Sequence, residues 1–201
     1  MRRADAGIAC AAAALLGLLL SPPLREALLA RMSLHMNLQL PLLLACGVGL
    51  VAPWRRAGAA WLRPVNLRGV SGLVLASGLF SVWMVPRALD AAVAHVAIDT
   101  LKVLSLLLAG AALAVSWRPA GAVVQGFFVG NAVWMAATVG LLVAQAPQRL
   151  CNAYLEDDQR LAGYGLLALG LAVGLTWLAS LARPVRFGLR RPTVVLSKET
   201  P

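Results

Sequence analysis

His35, His95, Asp99, Lys102 and Asp158 are polar or ionisable groups set in or beside long apolar runs. His95, Asp99 and Lys102 stand at i, i+4 and i+7 in the stretch Met84 to Trp117, so a helix there predicts them on one stripe. A charge near a bilayer centre costs about 2.5 to 3.5 kcal/mol on insertion scales, and a stripe carrying two charges and an imidazole needs a reason. In one reading Asp99 and Lys102 neutralise each other at i, i+3 while His95 bonds a neighbouring helix. In the other the stripe is a ligand set or a proton-handling site. Met32, His35, Met36 and Gln39 repeat the pattern at i, i+3, i+4 and i+7 on a second apolar segment, which predicts another single face.

The elements that must position these residues follow from composition. Sixty per cent of the 201 residues are hydrophobic, only 13% are charged and the mean hydropathy is +0.79, against roughly 25% charged in a soluble domain. The expectation is an all-α, polytopic membrane helical bundle in one membrane domain over 1–201, with no sizeable soluble part. Apolar runs and their Pro, Gly and Arg punctuation place about six transmembrane helices at 6–20, 32–53, 69–86, 91–116, 120–146 and 161–182. Pro22 to Arg31 reads as a polar connection and Arg118-Pro119 as a tight turn. The first helix reads as uncleaved, because two prolines and no small-residue cleavage site follow it. Gly126-x3-Gly130 and Gly170-x3-Gly174 are pairs that let helices approach closely and permit a helix-mediated oligomer.

Charge sets the orientation. With both termini cytoplasmic, including the basic tail 183–201, the inner segments hold twelve basic residues against two acidic, and the outer segments hold six of each. The whole formal excess of +10 then lies inside, as the positive-inside rule requires of a multi-pass protein of the bacterial inner (plasma) membrane. That distribution accounts for the charge without nucleic acid, and leaves the lipid bilayer as the first partner.

The same orientation places His35, His95, Asp99 and Asp158 near the outer ends of their helices, at one depth. Imidazole, thioether and carboxylate donors suit copper, thioethers favouring Cu(I). The expected metal ligands are therefore His35 and His95, with Asp99, Asp158 and Gln39 beside them and Met32, Met36 and Met84 as soft donors; Cys151 is available at similar depth. Each also has a plainer role, as packing methionine, hydrogen-bonding histidine or inert thiol.

Three segments carry a resemblance: SLHMNLQLPLLL at 33–44, AHVAIDTLKVLSLLLAGAALAVSW at 94–117 and DQRLAG at 158–163. Together they resemble the polytopic CtaG family of cytochrome c oxidase assembly factors, whose patterns there are HM-x-x-H, H-x3-H before an apolar run, and DQ-x-LAG. His35 and His95 match the first histidine of each pair, while Gln39 and Asp99 stand at the second. The resemblance implies a membrane-embedded, non-enzymatic copper-handling factor, with a cytochrome c oxidase subunit or another copper enzyme as client.

Two other readings use the same residues. His35 and His95 could grip a haem b from two helices, although no CxxCH for a covalent haem is present. Asp99, Lys102 and Asp158 could instead form a proton path. No nucleophile–base pair, phosphate loop or metalloprotease motif points to an enzyme, and the three cysteines, without CxxC spacing, give neither a disulfide framework nor a zinc motif.

Overall fold

The structure is a computed structural model and describes residues 3–148, 150 and 154–182. Cys151 and the tail 183–201 lie outside the described residues. Regular structure among the described residues is helical throughout: α1 (Arg3–Leu20), α2 (Pro22–Leu29), α3 (Met32–Leu50), α4 (Arg55–Trp61), α5 (Val70–Val82), α6 (Pro86–Ala94), α7 (Val96–Gln145) and α8 (Glu156–Ala182). Four of these, α1, α3, α7 and α8, are long and apolar enough to cross a membrane. Leu67–Val82 and Pro86–Ala94, bent by 71°, are a fifth candidate span if the pair counts as one, with α7 taken as a single helix in this count.

The 50-residue α7 is not straight. Gly121 takes φ 67°, ψ 171° and divides it into arms 96–120 and 122–145. Ser81 and Trp83, two residues apart on one chain segment, bond Met135 and Ser105 respectively, which a straight helix would hold about 45 Å apart. The arms therefore fold back on one another. The expected turn at Arg118-Pro119 is displaced to Gly121, where a positive φ carries no side-chain clash.

Local chemistry explains other departures. Pro22 and Pro86 stand in first turns, where a missing N–H costs nothing, so the expected connection at 22–31 contains α2 and a separate helix starts at Pro86. The helix expected over 69–86 ends at Val82, and the one expected from 91 begins at Val96. Pro41 lies inside α3, where it cannot donate to the Asn37 carbonyl and its ring crowds that group. The turn before it widens into a π segment, His35–Gln39, closed by Leu40 N–H bonding the His35 carbonyl.

The core is a continuous cluster in which Met32, Met36, Leu40, Leu43, Leu106 and Val143 are among the buried side chains. Helices meet most closely at glycines outside the expected pairs. A methyl group on Gly110 would run into the Leu44 carbonyl of α3, and one on Gly163 would meet Gly140 across the α7–α8 contact. Of the expected pairs, Gly126 lies against Trp177 and Gly170 against Ala136, whereas Gly130 faces open space. The best spanning windows of α1 and α8 are apolar yet only 11% buried, a pattern that suits a lipid surround and not water. A largely apolar cavity of about 290 Å³ lies beside Ser77, Ser81, Met84, Trp117 and Asn131.

Candidate functional site: a buried lysine and its acceptors

The π segment of α3 brings His35 and Gln39 to one side of their helix, facing the first arm of α7. Asp99 and Lys102 lie on the facing stripe of that arm. The Lys102 ammonium is wholly buried and sits 2.7 Å from Asp99 Oδ1, 2.8 Å from His35 Nε2 and 3.0 Å from Gln39 Oε1. Two neutral acceptors, His35 Nε2 and Gln39 Oε1, take hydrogen bonds from the ammonium, and the Asp99 carboxylate is its ion-pair partner. Leaving such a cation unpaired in an apolar interior would be prohibitive, so the carboxylate and two neutral acceptors are what permit Lys102 to be there.

With Lys102 as an ammonium, the state of His35 follows from its two contacts. Because Lys102 donates to Nε2, that nitrogen must present its lone pair, and the ring proton sits on Nδ1. Nδ1–H then donates to Tyr154 Oη, 2.8 Å away. At the other end Arg25, on α2, bonds Asp99 Oδ2 through Nε at 2.8 Å and closes the ion pair through a terminal nitrogen at 2.7 Å. The result is a chain of side chains, Tyr154–His35–Lys102–Asp99–Arg25, drawn from α2, α3, α7 and the segment before α8. Arg25 keeps 29% of its side chain exposed and Asp99 only 7%, so the chain runs from a partly open end into a closed one. It holds two cations and one carboxylate.

Of the expected ligands, the structure brings together His35, Gln39 and Asp99, but around Lys102. The pairing of Asp99 with Lys102 expected at i, i+3 is present. His95 is not part of the site. Its backbone is extended, φ −131°, ψ 118°, and it precedes α7 as an exposed side chain, so it leaves the stripe that a continuous helix predicts. The structure does not bring His35 and His95 together: one imidazole has both nitrogens bonded inside the core and the other is exposed. Met32 and Met36 are wholly buried on the same face as His35, within the apolar cluster, and Met84 borders the cavity. Among the described residues no group of three or more His, Cys, Asp or Glu is gathered as a metal site.

Asp158 does different work. Its carboxylate accepts from the Met32 backbone N–H, from Ser33 N–H at 3.4 Å and from Ser33 Oγ at 2.5 Å, capping the start of α3 from another helix. Gln159 beside it bonds the Val143 carbonyl at 3.1 Å and the Leu150 N–H at 2.8 Å, and the Ala162 carbonyl accepts from Asn37 at 3.0 Å. The DQRLAG segment is thus a clamp on backbone groups. Sequence reasoning missed Arg25 and Tyr154; the only signal for either was its polarity in a segment read as a connection.

Comparison with known proteins returns no matching family model, no matching curated protein and no matching solved structure.

Proposed function

We propose that this chain is a multi-pass plasma-membrane accessory protein, with six spans and both termini cytoplasmic, whose working centre is the proton-holding chain Tyr154–His35–Lys102–Asp99–Arg25 near the outer face. Its partner would be, on the CtaG resemblance, an oxidase or other copper enzyme under assembly. The observation that carries the reading is the position of Lys102: a wholly buried ammonium bonded directly to a neutral imidazole that is bonded in turn to a phenol. Such a chain can pass a proton from Lys102 to His35 Nε2, which leaves a neutral amine and an imidazolium that still donates from Nδ1 to Tyr154, with the nearby Asp99 carboxylate offsetting the imidazolium charge. The segregation of basic residues supports the topology, and the reading is of an accessory protein and not an enzyme.

Two measurements on the full-length protein test it. Nitrogen NMR of labelled histidine should find His35 neutral with its proton on Nδ1, and an Nε2–H tautomer would reject the chain as drawn. In a host lacking the gene, His35→Phe and Lys102→Met should fail to restore the lost function while His95→Ala restores it. Full complementation by Lys102→Met, or stoichiometric copper in the purified wild type that disappears with His35→Phe, would reject the reading.

A further inference from the structure

His35, Gln39 and Asp99 are three acceptors of the kinds that hold metal ions, an imidazole nitrogen, an amide oxygen and a carboxylate oxygen, and all three converge on one point. That point is the Lys102 nitrogen. We propose that the trio is a cation site kept by the chain's own lysine: Lys102 is a tethered cation that excludes a first-row divalent metal, and withdrawing its ammonium converts the trio into a three-donor metal site. This rests on the reading of the Lys102 cluster as the working centre and adds to it what the cluster keeps out.

The groups behind the trio are those a metal site needs. Metal-bound imidazoles almost always donate their other ring N–H to an acceptor, and His35 Nδ1–H already donates to Tyr154. Ligating carboxylates are themselves hydrogen-bonded, and Asp99 Oδ2 is held by Arg25. The donors stand 2.7 to 3.0 Å from Nζ, whereas a zinc-like ion bonds N and O at about 2.0 to 2.2 Å, so each must close in by less than about 1 Å. The widened π turn that carries His35 and Gln39 is the element able to make that adjustment. Lys102 reaches the point on an unbranched stem, and removing that stem leaves space for an ion and a water to complete the coordination.

Cobalt(II) is the probe, because nitrogen and oxygen ligation gives it visible absorption bands. Purified full-length wild type should bind none at the site. Lys102→Ala and Lys102→Met should each bind one Co²⁺ per chain, and adding His35→Phe should abolish it. Tyr154→Phe in the Lys102→Ala background should weaken cobalt binding about 10- to 100-fold, as loss of an orienting partner does. If Lys102→Ala accumulates poorly, supplying Co²⁺ or methylammonium, which fit the same acceptors, should restore its abundance. Folded variants that bind no more cobalt than wild type, binding indifferent to His35, or poor accumulation that neither cation rescues would each overturn the proposal. Those results leave the proton-holding reading standing. Wild-type protein with cobalt held by His35 would overturn the exclusion role of Lys102.

Discussion

Asp99 and Asp158 both sit near the start of long apolar helices, and both read from the sequence as ligands, yet their surroundings divide them. Asp158 is spent on backbone: its oxygens meet the Met32 and Ser33 amides and the Ser33 hydroxyl, groups that do not change charge. Asp99 is spent on side chains, Lys102 and Arg25, both cations, and through Lys102 it is joined to an imidazole and a phenol. A carboxylate held by backbone amides fixes a helix start. One held in a chain of protonatable groups can take part in chemistry. The partner's type, more than the acid's position, separates a structural carboxylate from a working one.

The largest test of that contrast removes the shared charge at Asp99. Asp99→Leu strands Lys102 in the interior and should cost about 3 to 5 kcal/mol, read as a fall in the denaturant midpoint of the purified protein. Asp99→Leu with Lys102→Leu should recover most of that stability and still fail to complement the host. A double variant with full function would remove Asp99 and Lys102 from the working centre.

Asp158→Ala should cost less, about 0.5 to 2 kcal/mol, the range for losing a helix cap. Asp158→Asn should restore most of it, because the amide oxygen still accepts from Ser33. Neither change should alter the His35 NMR signal, and a shift of that signal would show that the clamp and the Lys102 chain are coupled.

Pro41→Ala probes how the π turn serves the site. With an N–H restored at 41, α3 can close as a regular helix, which rotates Gln39 about the axis relative to His35 although the two stay on one face. Stability should change by no more than about 1 kcal/mol while function falls only part of the way toward that of Gln39→Leu. Equal function in Pro41→Ala and wild type would separate the bulge from the site. The smallest effect belongs to His95→Ala, an exposed change expected within about 0.5 kcal/mol and without consequence for complementation.

The fold class and much of the site's chemistry were legible in the sequence because they rest on local pattern. Apolar runs define the long helices, proline and glycine punctuate them, and the i, i+3 spacing of Asp99 and Lys102 places an ion pair on one stripe of one helix. The common face of Met32, His35, Met36 and Gln39 is of the same kind, and all four are buried together. Pro41 was also a readable signal for a distorted turn just upstream, the turn that carries His35 and Gln39.

What the chain's own order does not contain is which distant group fills each acceptor. Arg25 and Asp99 are 74 residues apart, His35 and Tyr154 are 119 apart, and Lys102 meets His35 across 67. The break at His95 falls at no proline or glycine, and its extended backbone, which separates α6 from α7, takes that histidine off a stripe the periodicity had drawn. Spacing along a helix decides which side chains share a face. Only the packing of one face on another decided that three expected metal ligands would close around a lysine.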